Sequence, residues 1–166
     1  MSSFVRTFVG MEAELQALAL PDHGIKTKHG ALGTEVFDPI RRRWLLLTPE
    51  EHVRQHFVNH LVFDRKCPAS LIAIERSLVL NEMAKRADIV VHGLDGRPVA
   101  LIECKAPSVR IDQATLEQAA RYNIIFKVRF LMVTNGSEHY CFIIDHEKGT
   151  ARSFDHIPDH FEMMRG

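Results

Sequence analysis

Asp88, Glu103 and Lys105 are the residues whose types and spacing could do chemistry. They put three charges into KRADIVVHGLDGRPVALIECKAP (residues 85–107), a stretch that otherwise reads as the buried centre of a sheet. Ala87 to Val91 and Val99 to Cys104 are short apolar runs rich in β-branched residues, and HGLDGRP separates them. That pattern predicts a strand, a glycine-bearing turn and a second strand. Period-two alternation places Leu101, Glu103 and Lys105 on one face and Ala100, Ile102 and Cys104 on the other. In an antiparallel pair the head of one strand lies beside the end of the next, so Asp88 reaches Glu103. Two carboxylates and an amine converge. A buried carboxylate without a partner is costly, so the group calls for a cation, and hard oxygen ligands suit Mg²⁺ or Mn²⁺. The same residues can also be read as an ion pair at a sheet end with Asp88 capping a turn. The setting favours the first reading: an ExK at the carboxyl end of an apolar strand, an Asp heading the strand before it, and a helix to follow.

The elements that must position these groups are legible on either side. Thr48-Pro49-Glu50-Glu51 is a helix start, with a Thr cap, Pro at the first position and Glu51 placed to complete a capping box. The helix is predicted to run to about Phe63 with Val53, Phe57 and Leu61 on its buried stripe. Glu50 shares that stripe. Glu51 lies on a neighbouring one with Gln55 and Val58, and is either the capping-box acid or an acid of the site. Leu71 to Leu80 reads as a strand pair or one long bent strand. Asp112 to Ile125 is a helix on which Gln118 and Tyr122, four apart, share a face. Arg129 to Thr134 and His139 to Asp145 form a hairpin about Asn135-Gly136, Ala151 to Phe154 adds an edge strand, and the tail from Pro158 is a short helix or loose. A strand, helix, strand crossover implies a parallel pair, so the expected fold class is α/β: a mixed central sheet flanked by helices. Before it, residues 1–47 read as an extension comprising a short helix over MEAELQALAL and a β-meander from Ile25 to Leu47, in which Trp44 packs. Residues 48–166 form the main domain.

The totals narrow the function. At 166 residues, 46% hydrophobic and 25% charged, the chain is an ordinary globular protein with a real core. It shows no apolar run long enough to span a bilayer and no signal-peptide layout, so a cytoplasmic protein is expected. The three cysteines, Cys67, Cys104 and Cys141, lack CxxC spacing and are expected reduced in the core. A formal net charge of zero argues against tight, independent DNA binding by bulk charge. Lys85-Arg86 remains a candidate local basic surface, whereas Arg41-Arg42-Arg43 and Arg65-Lys66 read as solvated clusters.

TPEEHVRQHF, KRADIVV, ALIECKAP, QAARY and FLMVTNG, in this order, resemble the PD-(D/E)xK nuclease superfamily. Within it the chain is similar to the N-terminal nuclease domain of type I restriction enzyme R subunits, here free-standing, over Thr48 to Asp145. The resemblance implies a restriction-endonuclease-like fold and Mg²⁺- or Mn²⁺-dependent hydrolysis of DNA phosphodiester bonds. Asp88 and Glu103 would bind the metal, Lys105 would orient or activate the attacking water, and Glu51 would complete the site. Gln118 and Tyr122 match a QxxxY element implied to contact DNA or organise the site, and Arg86 is grouped with them. Ala87 stands where the family usually has Pro. The implied partners are DNA and other restriction subunits, with homodimer formation suiting double-strand cutting. No GxxxxGK[ST] is present, so ATP-driven translocation would come from another polypeptide. The alternative is a DNA-binding or assembly module that kept the fold and cuts poorly or not at all.

Overall fold

The computed structural model describes residues 15–80 and 82–165. Three strands, β1 (Thr27–Gly30), β2 (Gly33–Asp38) and β3 (Arg43–Leu46), form the expected antiparallel meander, with Trp44 against Phe37 at 5.4 Å between ring centroids. Of the helix expected over residues 11–20, the first four lie outside the described residues. Residues 15–20 are not helical. Their backbone is committed elsewhere: Ala19 N–H donates to Gly136 O at 2.7 Å, and Gln16 O accepts from the His52 ring at 3.2 Å.

Helix α1 (Pro49–Asn59) starts as its sequence predicts, Thr48 Oγ1 accepting from Glu51 N–H at 3.1 Å. The reciprocal half of the capping box is not made, because the Glu51 carboxylate is engaged by arginines. The helix continues through a widened π turn (His60–Asp64), closed by a 2.7 Å contact between His60 Nδ1 and Asp64 Oδ2.

Strands β4 (Ile72–Leu80), β5 (Met83–His92), β6 (Pro98–Cys104), β7 (Phe130–Thr134), β8 (His139–Asp145) and β9 (Thr150–Phe154) make one six-stranded sheet among the described residues, in sequence order. All neighbours are antiparallel except β6 and β7, the parallel pair bridged by helix α2 (Gln113–Phe126). Asp112 caps α2, accepting from Thr115 N–H at 3.0 Å. The tail contributes helix α3 (His160–Met164), on a capping box between Asp159 and Glu162. The expected mixed α/β architecture is thus present, and Leu71 to Leu80 resolves as one strand rather than two.

Each face of the sheet carries its own core. On one, Val53 and Phe57 of α1 and Leu61 of the π turn pack over Ile89, Val91, Ile102, Cys104, Phe130 and Met132. On the other, Ala119 and Phe126 of α2 cover Val90, Leu101, Leu131 and Val133. Gly136 shows how tightly the β7–β8 turn fits: its φ is +85°, and a Cβ there would come within 2.6 Å of Leu18 and 3.2 Å of Val53. All three cysteines are free and buried, as expected.

Phe57, fully buried, joins α1 to the sheet. Phe57→Ala is expected to lower stability by about 3–5 kcal/mol, read as a lower urea midpoint at unchanged slope.

Candidate functional site

Sheet register brings the acids together. Ile89 pairs with Ile102, so one step further Asp88 lies beside Glu103. On the other side Ile74 pairs with Ile89 and Arg76 with Ala87, which brackets Glu75 against Asp88. The backbone is irregular at this point. Ala87 and Val90 both belong to the α2-side core while Ile89 and Val91 belong to the α1 side, so the two-residue alternation breaks across Asp88. Glu75 has φ +51°, a left-handed conformation that a non-glycine residue adopts in mid-strand only under constraint. The break turns Asp88 inward along the sheet: its Oδ2 accepts from Cys104 N–H at 2.7 Å, and its Oδ1 from Arg54 Nη2 at 2.9 Å.

Glu103 is buried. Its Oε1 accepts from Lys105 Nζ at 3.3 Å, and its Oε2 has no hydrogen-bond partner. Burial, then the neighbouring Asp88 charge, push its carboxyl up to about 7 against the pull of Lys105. Asp88, Glu103 and Lys105 are therefore brought together.

Helix α1 presents two acids differently. Glu51 is buried and fully engaged: Oε1 accepts from Arg41 Nη2 at 2.7 Å and Gln55 Nε2 at 2.8 Å, and Oε2 accepts from Arg54 Nη1. Glu50 is about half-exposed and bonded through Oε1 to Arg54 Nη2 at 3.0 Å. Burial and then the charge of Asp88 raise the Glu50 carboxyl, while Arg54 and Lys105 lower it; Glu103 in turn feels the Glu50 charge. Glu50, on the stripe of Val53 and Phe57, is the helix acid raised by burial and the Asp88 charge, while Glu51 is held by Arg41, Gln55 and Arg54.

Of the QxxxY pair, Tyr122 is half-buried under Lys85, whose Nζ lies 5.1 Å from the ring centroid, and Gln118 is exposed. Arg86 bonds Glu75 Oε1 with a mostly exposed side chain. Arg86 thus joins the acid cluster through Glu75, while Gln118 and Tyr122 make no hydrogen bond to its acids among the described residues.

Sequence reasoning assigned no role to Arg41, Arg54, Glu75 or Asp38. Arg54, 5% exposed, lies among Glu50, Glu51, Asp88 and, at 3.8 Å, Glu75. Burial opposes its charge, but Asp88 and Glu51 more than restore it and raise its pKa. Arg41, expected to be solvated, is 11% exposed and bonds Asp38, Glu51 and Glu75. The available signal for Arg54 was its place on α1, three residues after Glu51 and four after Glu50.

Charge decides what the site can hold. Six carboxylates (Asp38, Glu50, Glu51, Glu75, Asp88, Glu103) meet four cations in direct contact (Arg41, Arg54, Arg86, Lys105), with Arg43 3.9 Å from Glu75 at the exposed rim. The orphaned oxygen of Glu103, beside Asp88, is where the deficit falls. An oxygen-seeking cation suits that donor set. Among the described residues no three His, Cys, Asp or Glu side chains converge on a single ion position. The donors a cation could use here are thus the two strand carboxylates, Asp88 and Glu103.

The sequence matches a known family. The chain belongs to the family described as the type I restriction enzyme R protein N terminus, which matches residues 49–158. Among solved structures it is similar to a fragment of a candidate HsdR subunit of a type I restriction enzyme from Vibrio vulnificus YJ016. That similarity is at 22% identity and TM-score 0.48, and covers 72% of this chain and 25% of that one. No curated protein matches the chain. No helix among the described residues is long and apolar enough to cross a membrane.

The Glu103 shift carries a sign. Its folded pKa lies above the ordinary 4.5, so its contribution is fully present below pH 4.5 and is lost as pH rises to about 7. Metal-free protein is expected to lose on the order of 3 kcal/mol from this group over that window. Glu103→Gln should flatten that part of the stability–pH curve, measured by urea unfolding from pH 4 to 8.

Proposed function

We propose that this chain is the nuclease module of a type I restriction system and hydrolyses DNA phosphodiester bonds with Mg²⁺ or Mn²⁺. The observation that carries the reading is the buried, unpartnered Glu103 Oε2 beside Asp88 and Lys105. Asp88 and Glu103 would hold the ion, and Glu50 would support it from α1. Once bound, a divalent ion supplies Lewis-acid stabilisation of phosphate charge and a more acidic water. Arg54 and Cys104 N–H fix the Asp88 carboxylate, so its direction is set before substrate arrives. Lys105, held by Glu103, has further N–H groups to donate to an attacking water or a phosphate oxygen. Lys85 on Tyr122, the exposed Gln118 and Arg86 would supply polar and cationic groups for the nucleic-acid backbone.

A second reading, an assembly or DNA-binding module that cuts poorly, is favoured by one observation: Arg54 already neutralises Asp88 Oδ1. Mn²⁺ titration separates the two, since an inert module fails to bind the ion. The other restriction subunits, and a second copy of this chain for double-strand cutting, are the partners this reading calls for.

Plasmid DNA with Mg²⁺ or Mn²⁺ is expected to be nicked by the parent protein. Asp88→Ala and Glu103→Gln should each slow nicking on the order of 100-fold or more, given several kcal/mol of charge stabilisation from the ion. Equal rates in parent and Asp88→Ala would remove the reading. For the helix acid, Glu50→Gln should reduce cleavage with little change in melting temperature, and full activity in that variant would take Glu50 out of the site.

A further inference from the structure

The three-stranded meander lies wholly before residue 49, where the family match begins, yet it delivers an arginine into the heart of the ionic cluster. Asp38, completely buried at the end of β2, accepts from Ile40 N–H and Arg41 N–H through Oδ1, each at 2.8 Å, and so builds the turn that follows. Burial works against the Asp38 charge, but the backbone and guanidinium of Arg41 outweigh it and hold its carboxyl below the usual range. With its backbone pinned, Arg41 sends its guanidinium in three directions. Nε donates to Asp38 Oδ2 at 2.5 Å, Nη2 to Glu51 Oε1 at 2.7 Å and Nη1 to Glu75 Oε2 at 2.6 Å.

Two of those carboxylates lead straight to Asp88. Glu51 holds Arg54, whose other nitrogen orients Asp88 Oδ1. Glu75 occupies the strained strand position across from Asp88. A guanidinium satisfies such a constellation because its donors form a rigid planar fork.

We infer that Arg41 is a positioning residue of the metal-binding acids: from outside the matched family region it clamps Glu51 and Glu75, and through them fixes Asp88. This rests on the metal-site reading above. Arg41 touches neither Asp88 nor Glu103, so its effect is that of an outer support. Groups bonded directly to a metal ligand typically contribute 10- to 100-fold to metal affinity, and Arg41, one contact further out, is expected at the lower end of that range.

Isothermal titration with Mn²⁺, well below the melting temperature, tests this in the full chain. Parent, Asp88→Asn, Arg41→Gln and the charge-matched double variant Arg41→Gln/Glu75→Gln are compared, the double variant serving if the single one does not fold. Asp88→Asn is expected to abolish binding. The folded Arg41 variant is expected to bind Mn²⁺ about 10-fold more weakly or worse. Loss in Asp88→Asn with unchanged affinity in the folded Arg41 variant would overturn the role of Arg41 and leave the metal site standing. Unchanged affinity in Asp88→Asn would overturn the metal site and this role with it.

Discussion

The fold gathers more negative charge at one end of its sheet than its own cations neutralise, and most of the surrounding structure answers to that constraint. Clustered carboxylates repel strongly where water is excluded, so a protein that keeps them must supply cations in fixed places. Here the cations are chiefly arginines, Arg41 and Arg54 being almost fully enclosed. Arg41 is shared among three carboxylates and Arg54 among four, and Glu51, Glu75 and Asp88 each accept from two or more donors. Such a lattice tolerates little displacement. Losing one member leaves its former partners charged and dry, which costs more than the pair itself contributes.

The lattice is anchored in two apolar cores of ordinary composition. α1 buries Val53 and Phe57 on the same helical stripe that carries Glu50, so hydrophobic packing also sets where that acid lies. β6 does likewise, with Ile102 and Cys104 in the α1-side core and Leu101 in the α2-side core. Where charge and pleat conflict, the pleat yields: Glu75 goes left-handed and the alternation breaks at Asp88. Backbone strain of this kind costs of order 1–3 kcal/mol per residue. The carboxylate of Glu75, bonded to Arg41 and Arg86, supplies the compensation.

Much of this was legible in the sequence because it is local. Thr48-Pro49 marks the start of α1, Asp112 that of α2, and Asn135-Gly136 the last core hairpin. Asp88 and Glu103 meet because antiparallel register follows from a seven-residue turn between two apolar runs. What escaped is non-local. Arg41 sits in an Arg-Arg-Arg run that composition reads as solvated, and only the arrival of Glu51 and Glu75 from other elements makes it internal. Glu50 and Glu51 are adjacent and chemically identical, and their surroundings separate only when Arg41 and Gln55 bond Glu51. The left-handed Glu75 carries no glycine to announce it, and residues 15–20 take their shape from contacts with α1 and the β7–β8 turn.

Charge balance links this interior to the surface. The chain as a whole is formally neutral, so a cluster with more acids than cations leaves the opposite surplus on the remainder. A neutral total is therefore not a neutral exterior. Negative charge is concentrated at the sheet end, while exposed cations such as Arg97 and Lys148 lie beside acids of their own, Asp95 and Asp145. Screening over roughly 10 Å at moderate salt keeps the two regions electrically distinct. Overall charge, the first quantity read from the sequence, is thus a poor guide to what this surface can bind.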